Sequence, residues 1–369
     1  MADRITLIDV AQHAGVSRAT VSLVLRDSPL IASATKARVR RSLKALGYLY
    51  NRGAATMRAS GTKTIGLLVN QIDNPFFAEL TDGISAALDA AGYIAFLSVV
   101  QDSVERQQRA ILRLREHRVD GLILCPAVGT EPEQIAQLGK FGLPVVQTMR
   151  MVPGSVGDYA GPDNEPGTAL LAEHLIGLGH RSFAYAGGVA PHSGNRERVA
   201  GVVGALRRHG LAPLEILRTE GTRVGGMEAA AQIDAMDRRP TALICGNDIV
   251  ALGAILGLQQ RGVVIGRDIA VTGIGNVPEA AICQPGLTTL ATNPRIVGQE
   301  AVRLLLRRIV NPAVAAEAVA VPVRLVVRAS CGAVTKASRS VAPDTSRDQR
   351  HGADNLEVDE AHDDREGMG

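Results

Sequence analysis

The residues with the strongest chemical bias in this sequence lie at its start. Positions 1–60 hold ten Lys or Arg (Arg4, Arg18, Arg26, Lys36, Arg38, Arg40, Arg41, Lys44, Arg52 and Arg58) against three acids, Asp3, Asp9 and Asp27, a local charge of +7. The whole chain of 369 residues carries only +3, so the remainder sums to −4. A basic head on a mildly acidic body suits phosphate binding, because neutralised phosphates release counterions while the body resists non-specific adhesion. A solvated basic surface gives the same count, and charge alone leaves both readings open. Catalytic patterns do not occur: there is no H-E-x-x-H, P-loop, G-x-S-x-G or C-x-x-C, and the G-I-G-N stretch at 273–276 lacks the third glycine and helix opening of a dinucleotide site. The expectation is a non-enzyme with neither cofactor nor metal. Cys125, Cys245, Cys283 and Cys331 are widely separated and read as buried thiols in a reducing compartment rather than a disulfide or zinc framework.

The elements that must carry the basic residues follow from spacing. Leu7, Val10, Ala11 and Ala14 recur at helical intervals, Gly15 ends that helix, and Ser17 caps a second one beginning at Arg18. Val21, Val24 and Leu25 face inward, while Arg18, Ala19, Ser22 and Leu23 fall on or near the outer side of the N-terminal end, the end that enters a major groove. A third helix over 33–46 buries Val39, Leu43 and Leu46 and stops at Gly47. Three short helices around one small core make a headpiece.

From Thr64 the pattern changes to β-branched runs alternating with amphipathic helices. Strands are expected at 64–70, 93–99, 120–125, 144–147, 182–186, 242–245, 269–272 and 319–327, with helices near 76–91, 104–117 and 132–139. The fold class is therefore α/β after an all-α head: parallel sheets covered by helices on both faces, with a length that fits two doubly wound parallel subdomains. Ligands in such sheets bind at the carboxyl ends of strands. The loop after the first strand holds D-N-P-F-F, where Asn74 and Pro75 turn the chain and Phe76 and Phe77 open a helix, two of only five Phe in the chain. Core packing is the commoner fate of such residues. Apolar runs are only strand-sized and the N-terminus has no signal-peptide pattern, so neither a membrane nor export is expected. After Ser338 nine acids and four arginines with few apolar residues predict a disordered acidic tail, 334–369.

The run T-L-I-D-V-A-x-x-A-G-V-S-x-A-T-V-S-x-V-L, then T-x-x-R-V and L-G-Y, resembles the headpiece of the lactose-repressor family of transcription regulators. The resemblance implies that Arg18 and Ala19 read bases, with Leu23 also facing the groove; an Arg can fork to guanine and an Ala can meet a thymine methyl. Thr6, Ser17, Thr20, Ser22 and Arg26 then hold phosphates or helix ends, and capping by Ser17 and Thr20 is compatible with both roles. The family's N-x-x-A-x-x-L hinge corresponds to Asn51, Ala54 and Met57, with Met57 as the apolar wedge for a central base step. Gly53 disfavours a helix by about 1 kcal/mol relative to Ala, which implies a hinge ordered only on DNA, although a plain flexible linker fits the Ala-Ser-Gly run at 59–61 as well.

The resemblance extends over the body, to the type I periplasmic sugar-binding fold, through I-G-L-L-V-N, D-N-P-F-F, R-V-D-G-L-I-L, G-P-D-N, H-L-I-G-L-G-H-R, N-R-E-R-V-A-G, C-G-N-D-I-V-A-L-G and L-T-T-L. It implies a ligand cleft between the two subdomains, with an effector held by Asn74 and Phe76, with Asp163 nearby, from one half and by Arg198 and Asn247 from the other, where an Arg fork and an amide share the oxygens of a sugar or carboxylate. For Asp248 the alternative to a place in the cleft is to cap the helix over 249–260. The family's usual carboxylate position falls at Gly275, which weakens the case for a polyol and leaves the effector class open. V-S-L-V-L and G-P-D-N look closest to the maltose-regulon branch. The implied organisation is a headpiece at 1–50, a hinge and linker at 51–61, and an effector-binding and dimerisation domain at 62–333, its subdomains being about 62–162 with 292–321 and 163–291 with 322–333. The implied activity is repression from a palindromic double-stranded DNA operator, as a cytoplasmic, nucleoid-associated homodimer under a sugar-like effector. The leucine repeat that tetramerises the lactose repressor is absent from the tail. A solute-binding receptor is the rival reading for the body alone.

Overall fold

The computed structural model describes residues 5–25, 27–48, 61–188 and 192–333. The expectations for Arg26, Asn51, Ala54, Met57 and the tail at 334–369 lie outside the described residues.

The headpiece is α1 (Leu7–Ala14), α2 (Arg18–Leu25) and α3 (Ser33–Ala45). Thr6 and Asp9 form a reciprocal capping box that satisfies the first amides of α1, and Gly15 ends the helix at φ 61°, a left-handed conformation that costs glycine little. Ser17 Oγ accepts from Thr20 N at 3.1 Å and opens α2. Val10, Ala11, Ala14, Val21, Val24 and Val39 close the core. Leu25, Leu43 and Leu46 pack at its margin and stay half-buried, because α3 turns Val39 and Ser42 inward instead. Asp27 ties the α2–α3 turn to α3 through Lys36 Nζ at 3.1 Å and Arg40 Nη2 at 3.0 Å.

The body contains two six-stranded sheets, ordered β11-β5-β4-β3-β1-β2 and β12-β10-β9-β8-β6-β7. The first holds β1 (Thr64–Val69), β2 (Ile94–Val99), β3 (Gly121–Leu124), β4 (Val145–Thr148), β5 (Asp158–Pro162) and β11 (Ala318–Val321), every pair parallel. The second holds β6 (Phe183–Ala186), β7 (Glu215–Leu217), β8 (Ala242–Cys245), β9 (Ala270–Gly275), β10 (Thr288–Ala291) and β12 (Arg324–Val326), with β12 alone antiparallel. β1, β3, β6 and β8 are buried along their whole length, the continuous apolar pattern of a sheet covered on both faces.

The helices in order are α4 (Pro75–Ala90), α5 (Val104–Glu116), α6 (Pro132–Lys140), α7 (Asn164–Gly177), α8 (Ser193–Arg208), α9 (Arg223–Asp234), α10 (Asp248–Gln259), α11 (Glu279–Ile282) and α12 (Pro294–Val310). Close approach of α9 and α10 depends on glycine: a side chain at Gly226 would meet the Val250 carbonyl, and one at Gly253 the Arg223 carbonyl.

The expected strand at 319–327 is not one strand. β11 and β12 lie in different sheets, separated at Pro322, whose missing N–H suits a break in pairing. It is one of three crossings between the halves, with those between β5 and α7 and between β10 and α12. β5, β7 and β10 were not expected as strands; β5 reads D-Y-A-G-P, and its Gly and Pro resemble a turn. No helix among the described residues is long and apolar enough to cross a membrane.

Candidate DNA-reading helix and ligand cavity

At the N-terminal end of α2 the capping pair Ser17 and Thr20 also joins side chain to side chain, at 2.9 Å. Arg18 and Ala19 stand exposed beside it, while Thr20, Ser22 and Leu23 are half-buried. Thr6 is exposed but its hydroxyl donates to Asp9 Oδ2 at 2.7 Å, so it serves the helix end. The hydrogen bonds from Thr6 hold the Asp9 carboxyl below the ordinary carboxylate value, and Lys36 does the same for Asp27. One face of α2 is thus fixed by the core and the first residues of the other face are open to solvent.

Between the sheets a cavity of about 790 Å³ opens at the carboxyl ends of the strands, inside the range of small-molecule sites. Each half reverses strand order at its first strand, β1 between β2 and β3 and β6 between β7 and β8, which creates the crevice where ligands of such sheets bind. Asn74 and Phe76 wall it from the first half, Arg198 and Asn247 from the second. Asn74 Oδ1 accepts from Phe76 N at 3.1 Å and caps α4, and Phe76 meets Phe77 edge to face at 5.5 Å. Arg198 is steered by Nε to Asn164 Oδ1 at 2.9 Å and Nη1 to Gly246 O at 2.7 Å, leaving Nη2 without a bond to any described residue. Its acceptors are neutral, so burial lowers its pKa from the usual arginine value.

Asp163 and Gly275 do not line this cavity. Asp163 precedes α7 and belongs to a second, smaller cavity. Gly275 sits at φ 140°, which disfavours a side chain, and the Asp248 Oδ2 atom lies 3.3 Å from where its Cβ would be. Asp248 does not cap α10 either. Asn247 does, accepting from Val250 N at 2.9 Å and donating Nδ2 to Gly221 O at 3.2 Å. Asp248 is 1% exposed, accepts from Val277 N at 2.8 Å and from the Thr289 hydroxyl, and reaches the cavity wall. Burial pushes its pKa up to about 6. The cleft therefore keeps a carboxyl, delivered from α10 rather than from β9.

Arg150, Asp102, His192 and Thr292 also line the cavity and were not singled out from sequence. Arg150 Nη1 binds Asp102 Oδ1 at 2.7 Å. Burial, then Arg150, Arg198 and Arg196, lower the His192 pKa to about 3, so this ring is neutral at ordinary pH and caps α8 through Nδ1. Thr292 Oγ1 is buried with no partner among the described residues. The signal for Arg150 was available: it follows β4 at the carboxyl edge. Thr292 follows β10 in the same way, but that strand was not expected; Asp102 and His192 come from loops whose spacing is featureless.

Comparison with known proteins supplies the rest. Residues 6–51 match the model of bacterial regulatory proteins of the lacI family, and residues 172–331 match a periplasmic binding protein-like domain. The HTH-type transcriptional repressor PurR of Aliivibrio fischeri (strain MJ11) is 35% identical over 323 residues, covering 82% of this chain and 91% of that protein. The lac repressor dimer bound to operator and the anti-inducer ONPF superposes with a TM-score of 0.81 at 28% identity, over 89% of this chain and 99% of that one. A LacI family regulator from Enterococcus faecium with bound ribose gives 0.66 at 31% identity, over 72% and 98%. A capped reading helix, a cleft between paired sheets and relatives matched over nearly their full length agree: the chain belongs to the lacI family of bacterial regulatory proteins, DNA-binding transcriptional repressors with a periplasmic-binding-like effector domain.

Proposed function

We propose that this repressor binds a palindromic operator as a homodimer in the cytoplasm, on the nucleoid, and that a sugar-like metabolite in the 790 Å³ cavity sets its affinity. The observation that carries the reading is the exposure of Arg18 and Ala19 at the N-terminus of a helix whose opposite face is locked in a core. Arg18 forks to a guanine and Ala19 packs on a thymine methyl, while Ser17, Thr20, Ser22, Arg26 and Thr6 fix phosphates or helix ends. Asn51, Ala54 and Met57 form the hinge, with Met57 the wedge at the operator centre.

Asn74, Phe76, Arg198 and Asn247 hold the effector. Arg198 Nη2 and the Thr292 hydroxyl, both without partners among the described residues, supply a donor pair and a donor-acceptor that hydroxyls of a sugar can use. The operator of the lac repressor structure and the ribose of the Enterococcus faecium regulator support these partner classes. The domain limits of 1–50, 51–61 and 62–333 divide these tasks.

The test is a selection of genomic fragments on the purified full-length protein, followed by titration of the enriched fragment with and without candidate sugars. A palindromic site whose affinity shifts with one sugar is the expected result. Equal affinity for all fragments at every salt concentration overturns it.

A further inference from the structure

A second cavity of about 510 Å³ opens where the chain passes from β5 into α7, walled among others by Tyr159, Asp163, Asn164, Glu165, Glu197 and Gly201. Its wall is acidic. Asp163, Glu165 and Glu197 take part in no ion pair among the described residues, whereas the cation on the wall, Arg208, is engaged by Glu173 at 3.0 Å. Asp163 stands at the N-cap of α7 yet makes no capping bond with its side chain. Glu197 Oε2 accepts from Asn164 Nδ2 at 2.9 Å, and its other oxygen has no partner among the described residues.

An independent feature points the same way. Tyr159 is only 9% exposed, and its hydroxyl has no hydrogen-bond partner among the described residues. The ring lies along β5 so that the hydroxyl occupies the space left by the absent side chain of Gly161. Burial, together with the negative charge of Glu197, raises the phenol's pKa, which places that carboxylate's field on the hydroxyl. A buried hydroxyl with its hydrogen-bonding capacity unused is unfavourable unless something visits the site to use it.

The acceptors select the visitor. No group of three or more His, Cys, Asp or Glu among the described residues converges closely enough to hold a metal ion. Separated acceptors suit a ligand with several N–H donors spread over its own length. We propose that this second cavity binds a compact organic cation, a primary amine or guanidinium, which donates to Glu197 and Asp163 and to the Tyr159 oxygen. The site is connected to the larger cavity by one side chain: Asn164 gives its carbonyl to Arg198 Nε and its amide to Glu197. A cation on the second oxygen of Glu197 draws charge from the one that holds the Asn164 amide, and the support of Arg198 changes with it.

The experiment is calorimetric titration of the full chain with 1,4-diaminobutane at constant ionic strength, beside tetramethylammonium at twice the concentration, which matches the total positive charge but has no N–H. Saturable heat with the diamine and none with tetramethylammonium is expected. Glu197→Gln should weaken diamine binding about tenfold or more, the loss of a charged hydrogen bond. Tyr159→Phe should weaken it too, while melting no lower than the parent chain, because a purely structural hydroxyl would cost stability when removed. Should Glu197→Gln fail to fold, Asp163→Asn takes its place with the same expected direction. Absence of saturable heat, equal response to tetramethylammonium, or parental affinity in the folded variants overturns the proposal.

Discussion

Arg18 and Asp248 carry opposite kinds of information. Arg18 is exposed and its work is done on a partner, so Arg18→Ala should leave the fold intact and weaken operator binding by about 1–3 kcal/mol with little change on random DNA. Titration of both DNAs at matched salt checks this; equal loss on both would mean a phosphate contact. Asp248 is buried and its work is internal. Its pKa rises from 3.8 in the unfolded reference to about 6, chiefly through burial. The folded chain therefore holds the proton longer than the unfolded one. This group favours folding most below about pH 4, and that contribution is lost as pH rises through about 6. Asp248→Asn should flatten the difference in stability between pH 5 and pH 7.5 by on the order of 1 kcal/mol, read from melting at each pH. The partners of Asp248 were not legible beforehand. Thr289 and Val277 are 41 and 29 positions away, and only the fold brings them to it.

Among the elements, those with a local cause were readable and those with a distant one were not. α1 and α2 announce themselves by Thr6, Asp9, Gly15 and Ser17, all within a turn of the ends they define. β1, β3 and β8 are uninterrupted apolar runs between turn residues. β5 is a strand because β4 and β11 flank it, and Pro162 tolerates that place at the last position of the strand. The single strand expected at 319–327 had the right composition and the wrong continuity, since nothing local says that its two ends serve different sheets. Phe76 and Asn247 are assigned to the cleft through the family resemblance, and each stands at the opening of a helix just after a strand. Asp163 holds a similar position and faces a different cavity, so position narrows the choice without deciding it. Packing of α9 on α10 gives a test at this scale. Gly253→Val would drive a side chain into the Arg223 carbonyl and should destabilise the second half by about 1–3 kcal/mol, measured by denaturant unfolding. Operator binding by the folded fraction should persist.

For the whole molecule the feature that matters is an uncovered sheet edge. β2 is an edge strand that buries neither face fully: Ile94 is 58% and Phe96 41% exposed, with Leu97, Val99 and Leu112 of α5 also exposed. A contiguous apolar edge of this kind aggregates unless something covers it. In the homodimer proposed above, a second copy would cover it. Phe96→Asp should give a folded monomer in sedimentation. Operator affinity should then fall steeply, because one headpiece reads only half of a two-fold site. A dimer unchanged in mass would place the contact elsewhere.

The three crossings between the halves bear on how the cleft responds to what enters it. Three connectors at 162–164, 291–294 and 321–324 run beside one another: Val321 pairs with Pro162, Arg324 with Ala291, and Asn293 Nδ2 donates to Pro322 O at 3.2 Å. Connectors so arranged allow the jaws to swing about one axis and resist sliding or shearing of one past the other. A swing confined in this way would be one-dimensional, open or shut. A molecule that fits the mouth but props it ajar would stall that swing as an antagonist rather than produce a graded response.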